Sequence, residues 1–466
     1  MTATERFLTA AHHIAAPPDV DPATFPTVYK RYPRAGMVAL TAASPLGRLL
    51  RQVAGVTRLR YVTGPAASGG GQVAGKRMLA RPAPSAGARY PIEVYAAVGD
   101  TDDVSTGLYH YDPAHHALDR LRTGDGRALI TGCLAEPPRV PPALVLVLTT
   151  VFWRNCSKYG QFGYRLQALD AGVVIAQLAA VADAAGLAAT VHLRFADERL
   201  DGLLGCDGDA EAVIAVVTVD TAQAPSPERA ADWEQPPVRP LSAAVTLSDR
   251  ADYAELTALH RAARAVPGGD GTDVVSLPAA VPPDLTAGIA RRRTVLAYRR
   301  VALATANLAR LLAAATRPHR GDSGAVALFC YLLRVDGVPA GPYRYDPARH
   351  VLRPTGPHRP ADLVAAATSP RLRNELRAAA LVVLPVGRLD DEPAHHGDRW
   401  YRMQHVGAGA LANRTCLAAA SLGLDSHVTC AYNPRLADVA LGLADRPLTS
   451  LALVTIGTAR PDRHAR

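Results

Sequence analysis

The chain repeats itself. The segment GLYHYDPAHHALDRL begins at Gly107 and GPYRYDPARHVLRP begins at Gly341. They share G-x-Y-x-Y-D-P-A-x-H-x-L at a spacing of 234 residues. An internal repeat of this kind decides the architecture before any single element does. The match extends on both sides. PSAGARYPIEVYAAV, from Pro84, faces GDSGAVALFCYLLRV, from Gly321, each a small-residue turn ahead of an apolar strand. PPALVLVLTTVFW faces RAAALVVLPVGRL, one strand each. YRLQALDAGVVIAQLAAVADAAGL, from Tyr164, faces YRMQHVGAGALANRTCLAAASLGL, from Tyr401. Both have the composition of long Ala-rich helices ending near a glycine. AVIAVVTVD and SLALVTIGT close the two halves as strands. Each half therefore predicts helix, turn, strand, hairpin, strand, long helix, strand.

Between the halves lies APSPERAADWEQPPVRPLS, from Ala224 to Ser242, rich in Pro and charge and so expected to be extended. A helix-like segment, Tyr253 to Ala265, follows it. The expected division is a first domain over 1–222, a connecting segment over 223–283 and a second domain over 284–466. The expected class is α+β: two related domains of mixed or antiparallel sheet wrapped by helices. They would pair as a pseudo-dimer within one chain, and the alternative is two independent beads.

Composition narrows the function. At 466 residues, with 48% hydrophobic and 20% charged residues, the chain can bury more than one core. The net charge of +9 is spread thinly as Arg, with no basic run longer than Arg291-Arg292-Arg293. No nucleic-acid partner is expected from that pattern. Lysine occurs only at Lys30, Lys76 and Lys158, so a retained Lys hints at work that Arg cannot do, such as losing a proton. Six scattered cysteines without a CxxC pair suggest a reducing compartment. The opening MTATERFLTAAHHIAAPP has no signal-peptide pattern, and the apolar run Ala143 to Trp153 is too short to cross a bilayer. A cytoplasmic protein with no membrane partner is the expectation. The pairs His115-His116 and His395-His396 point their side chains in different directions, so no metal site is expected.

RPAPSAGARYPIEVY (Arg81 to Tyr95), GLYHYDP and SKYGQFGYRLQALDAG resemble the SagB-type, or McbC-like, dehydrogenases of the nitroreductase superfamily. The resemblance spans roughly 40–220 and 285–460. It implies a dimeric fold with FMN at the interface, and oxidation of thiazoline or oxazoline rings to thiazoles or oxazoles in ribosomally made peptides. In that family an R-R-S-type motif of one subunit holds the flavin phosphate, and a P-S-x-x turn comes from the other.

Carried onto this chain, the resemblance divides the site between the halves. The first half keeps the turn Pro84-Ser85-Ala86-Gly87, where small residues let backbone approach a flat ring and the Ser85 hydroxyl is expected at the flavin edge. Its own N-terminal YKRYPRAG matches the phosphate motif poorly. The second half carries RRRTVLAY, so Arg292, Arg293 and Thr294 are the expected phosphate grip, with Leu296 where the family has a later Arg. Its turn, Asp322-Ser323-Gly324, lacks the Pro. One complete FMN site per chain is expected.

The resemblance also implies a catalytic Lys158-Tyr159 pair. In register, Lys158 to Arg165 faces His395 to Arg402, so the second copy lacks the pair. Aromatising an azoline needs a base or proton relay, and a lysine, ordinarily near 10.4, needs burial or neighbouring positive charge to serve as a base. Arg154 and Arg165 are close in sequence and are expected to supply that charge. The implied partners are an azoline-containing precursor peptide and a cyclodehydratase, with further oligomerisation open. Two other functions stand beside this one: a nitroreductase-like enzyme using NAD(P)H on a small molecule, and a non-catalytic scaffold for a peptide or partner.

Overall fold

The computed structural model describes residues 3, 6–7, 20–21, 24–33, 36–41, 43–62, 76–99, 103–140, 142–220, 233, 237–241, 245–247, 250–262, 277, 280–317, 319–322, 326–388, 397–444 and 446–460. Most of the connecting segment, as well as Ser323, Gly324, His395 and His396, therefore lies outside the described residues.

The first half forms strands β1 (Met37–Ala39), β2 (Arg58–Val62), β3 (Lys76–Ala80), β4 (Ile92–Val98), β5 (Gly107–Asp112), β6 (Ala117–Thr123), β7 (Leu144–Val151), β8 (Ala188–His192) and β9 (Glu211–Asp220). Its helices are α1 (Pro45–Ala54), α2 (Phe152–Tyr159), α3 (Gly163–Ala184) and α4 (Asp197–Leu204). The second half contributes β10 (Tyr298–Arg299), β11 (Arg320–Gly321), β12 (Ala327–Leu332), β13 (Gly341–Asp346), β14 (Val351–Pro354), β15 (Leu381–Arg388), β16 (Asp425–Thr429), β17 (Leu448–Ser450) and β18 (Leu453–Ala459). Its principal helices are α5 (Leu285–Arg291), α6 (Thr305–Ala315), α7 (Arg399–Ser421) and α8 (Pro434–Ala440).

The two sheets are copies. The first runs β6-β5-β4-β7-β9-β8 and the second β14-β13-β12-β15-β18-β16, antiparallel throughout. The repeat hairpins are β5–β6 and β13–β14. One correction to the sequence reading is the strand after each long helix. AATVH and DSHVT form β8 and β16, followed by α4 and α8, where a single closing strand was expected. These short polar strands carry no apolar run, so alternation could not announce them. Another is that the apolar run Ala143 to Trp153 changes from strand to helix at Phe152.

The long helices α3 and α7 are buried on nearly every face, enclosed by protein. By length and composition the segment 152–184 could cross a bilayer, but here it is buried inside the protein. α3 and α7 make the most extensive helix–helix contact in the molecule. One apolar cluster joins Ala168, Ala171 and Ile175 to Met403 and Val406. Another joins Phe162, Leu166 and Leu169 to Ala408 and Leu451. The halves share these cores, so they are not independent beads.

Candidate active site

The strand β4 begins just after a tight turn. A short 3-10 segment, Ala86–Ala88, has Gly87 at φ 59°, and Ala88 (φ 54°) and Tyr90 (φ 47°) are also left-handed. Two non-glycine residues in that region hold about 1–3 kcal/mol of strain each, so the surroundings must enforce the shape. They do so with specific bonds. The Asp170 carboxylate, on α3, accepts from Ser85 Oγ (2.6 Å) and from the Ala86 amide (3.0 Å). The Tyr90 amide donates to Ser85 Oγ (2.8 Å). Arg154, on α2, donates to the Tyr90 carbonyl (2.9 Å) and pairs with buried Glu93 (2.5 Å). The Ser85 proton is thus committed to Asp170 rather than to a ligand. Burial pushes the Asp170 carboxyl up to about 7, and its bonds from Ser85 and Ala86 act against that rise.

The helix α2 ends at Gly160, whose φ 56° and ψ −147° suit only glycine, and this is why the motif reads K-Y-G. The helix end delivers Lys158 and Tyr159 onto the turn. A Cβ built on Gly87 would overlap the Tyr159 hydroxyl and meet Lys158 Nζ at 2.8 Å. Lys158 Nζ lies 5.0 Å from the Tyr159 ring centroid. Lys158 is exposed and Tyr159 half-buried. The two arginines expected to charge this site do not serve it. Arg154 spends its charge on Glu93, and Arg165 donates to the carbonyls of Ser450 and Leu451. Lysine rarity also loses force, because Lys30 is a buried ion-pair partner of Glu211 (2.5 Å).

Opposite the turn stands the second half. The pieces meet in one cleft of about 1350 Å³, lined by Pro84, Ser85, Ala86, Gly87 and Tyr159 of the first half. Arg292, Arg293 and Thr294 of the second half line the same cleft. Arg58 reaches across from β2 and donates to the carbonyls of Ile289 (3.0 Å) and Arg292, capping the end of α5. Arg292 is buried, whereas Arg293 is exposed and paired with Asp425 (3.0 Å). Thr294 bridges to Ser426 of β16. Arg58, Arg81 and Arg460 complete a strongly cationic lining in which Asp170 is the one carboxylate among the described residues.

Sequence reasoning missed Arg58, Arg81, Asp170 and the β16 wall, Ser426 to Ala431. Arg81 sits inside the motif that carried the resemblance, and Asp170 is the one acid in the middle of an Ala-rich helix whose other acid, Asp183, lies at its end, so both had a signal. A phosphate-bearing ring ligand fits the cleft on three counts: the arginines, the missing side chain at Gly87, and buried Arg81 nitrogens with no partner among the described residues.

The described residues at the pseudo-symmetric place are bonded differently. There β11 adds to β8 in parallel, pairing Gly321 with Val191. Asp322, which stands where Ser85 stands, accepts from the amides of Leu193 (2.8 Å) and Arg194 (3.2 Å) and from Arg194 Nε (2.8 Å). Arg399 and Arg402, both buried, pair with Asp197.

The nitroreductase family model matches residues 66–219 and 289–458. A nitroreductase-like protein of Methanocaldococcus jannaschii is 30% identical over 122 residues, covering 26% of this chain and 62% of that protein. The microcin B17-processing protein McbC of Escherichia coli is 30% identical over 142 residues, covering 29% of this chain and 52% of McbC. The chain thus spans only about half to three-fifths of the length of these relatives. A nitroreductase-fold protein of Anabaena variabilis superposes on 99% of this chain and 100% of its own, with a TM-score of 0.78 at 23% identity, which shows the shared fold.

Proposed function

The chain belongs to the nitroreductase family, and from that premise we propose that it is an FMN-dependent dehydrogenase that aromatises thiazoline or oxazoline rings in a ribosomally made peptide. The observation that carries the reading is the meeting of Lys158 and Tyr159 with the Gly87 turn at the cleft between the halves. The similarity to McbC, a peptide-processing protein, supports the peptide as substrate. A cyclodehydratase that makes the azoline is the implied partner. The cytoplasm is the implied compartment.

Arg292 and Thr294 would hold the FMN phosphate, assisted by Arg293, and the turn Pro84 to Gly87 would meet the ring. FMN supplies hydride acceptance. The protein has to manage a proton. Removing two hydrogens from an azoline takes a proton from the carbon beside the peptide carbonyl, while the hydride leaves the adjacent ring carbon. Lys158 Nζ, entering the step as the neutral amine, receives that proton and the Tyr159 hydroxyl relays it or orients the ring. Each half supplies what the other lacks, so a chain holds one FMN, and the division near residues 222 and 284 separates the two contributions.

The test is to offer azoline-containing peptide to the FMN-loaded protein and follow mass. Loss of two hydrogens per ring is expected. Rapid reduction by NAD(P)H with no change in the peptide would favour a small-molecule reductase, and a protein that takes up no FMN would favour a scaffold.

A further inference from the structure

Lys158 and Tyr159 stand at the end of α2, a helix of only eight residues. The last carbonyls of a helix have no partner within it, so contacts from outside decide how firmly such an end is held. Part of the connecting segment lies against this end. Tyr253, Leu256, Thr257 and His260 fall at i, i+3, i+4 and i+7, on one face of Tyr253 and the helix Ala254–Ala262 that follows it. All four are buried. Tyr253 and Leu256 share an apolar cluster with Phe152, Trp153 and Cys156 of α2. The Tyr253 ring meets Trp153 edge-on at 5.9 Å, and the Arg250 guanidinium lies 4.4 Å from the Trp153 centroid. Two hydrogen bonds complete the contact. Tyr253 Oη donates to the Cys156 carbonyl (3.0 Å), two residues before Lys158. The Leu256 amide donates to Gln161 Oε1 (2.9 Å), two residues after Tyr159. Leu256 is in the first turn of its helix, where amides lack intrahelical acceptors, so each helix caps an end of the other.

We propose that Tyr253 and Gln161 are positioning residues, through which the connecting segment clamps the end of α2 and sets where Lys158 and Tyr159 stand over the Gly87 turn. This rests on the dehydrogenase reading above. Three features point to positioning rather than to packing alone. The two bonds bracket the pair, one on each side of it in sequence. The backbone breaks from helical geometry at Gly160 (φ 56°, ψ −147°), so α3 does not carry its own alignment back to Lys158. Lys158 is exposed, so burial of its own side chain does not hold it in place. The connecting segment lies between the two family-matched stretches, and on this reading it belongs to the working site rather than serving only as a tether. The Cys156 carbonyl also accepts from the Gly160 amide, so losing the Tyr253 hydroxyl orphans no buried group there and loosens only the outside grip.

The experiment compares the full chain with Tyr253→Phe and Gln161→Ala, each alone and combined with Lys158→Ala. It measures azoline oxidation in the FMN-loaded protein and, in FMN-free protein, amide hydrogen exchange over residues 156–161. Tyr253→Phe should keep FMN content and KM and lose roughly tenfold in kcat, the order expected when a catalytic group is slightly misplaced. In the Lys158→Ala background the same change should cost little more, because the group it positions is gone. Exchange at Tyr159 to Gln161 should quicken, as it does where a local grip is released. A parental kcat in Tyr253→Phe overturns the proposal. So does the full tenfold loss repeated in the Lys158→Ala background, which would mark a general structural effect. If Tyr253→Phe does not fold, Gln161→Ala, which removes a half-buried side chain, decides by the same two criteria. A parent that oxidises no azoline removes the functional reading by itself. Exchange then decides the clamp, and an unchanged rate in both variants overturns it.

Discussion

Gly172 of α3 and Gly409 of α7 occupy equivalent places on either side of the pseudo-two-fold, and each lies against the backbone of the opposite helix. A Cβ on Gly172 would overlap the Val406 carbonyl, and a Cβ on Gly409 would overlap the Leu169 carbonyl. Val406 and Leu169 are themselves equivalent in the repeat, so the crossing is symmetric. The contact draws Leu169 and Asp170 to the cleft wall from one side and Gly409 and Ala412 from the other.

Gly172→Val and Gly409→Val should each cost about 3 kcal/mol or more, because the clash is with backbone that no rotamer change can move. Denaturant unfolding measures it. Parental stability in either variant would mean that the helices are not packed this closely.

Lys158→Ala should leave FMN bound and reduce azoline oxidation by at least about 100-fold, the lower end of what a positioned acid or base supplies. Flavin absorbance and peptide mass report the two effects separately. Activity close to that of the parent removes Lys158 from the mechanism.

The two expected phosphate ligands should differ. Arg292 is buried in the cleft, while Arg293 is exposed and already paired with Asp425. Arg292→Ala should weaken FMN binding about tenfold or more, and Arg293→Ala by only a few-fold, since an exposed ion pair contributes little. Titration of the apoprotein with FMN ranks them, and the reverse order would relocate the grip.

Much of this was legible in the sequence because the repeat is. The motif at Gly107 and Gly341 announced two copies, and the copies set the architecture. The same comparison exposed the missing Lys-Tyr pair in the second half. What stayed hidden depends on long-range placement. Arg154 is one helical turn from Lys158 in sequence, yet its charge is absorbed by Glu93, which sits on β4. Ser85 looked free for a ligand, but Asp170, 85 positions away, holds its proton. The strand β16 carries too few apolar residues to be seen, although its partner β18 makes it a wall of the cleft.

Asp170 gives a pH signature. Its carboxyl is held up to about 7 in the folded protein against an ordinary value of 3.8. The folded state thus holds this proton more tightly than the unfolded chain, so this group's contribution to stability declines as pH rises from about 4 to 7. The unfolding free energy of the FMN-free parent, less that of Asp170→Asn, should fall by up to roughly 4 kcal/mol over that interval. Denaturant melts at pH 4.5 and 8 measure it, and a difference that is flat or rises with pH contradicts the assignment.

The proposal gives the duplicated chain one working site assembled from both halves, while at the twin place β11 pairs with β8 and Asp322 accepts from the Leu193 and Arg194 amides. The direct measurement is the ratio of released FMN to polypeptide in fully loaded, purified protein. A ratio near one is predicted. A ratio near two would mean that the second half's turn also holds FMN, and would overturn the single-site proposal.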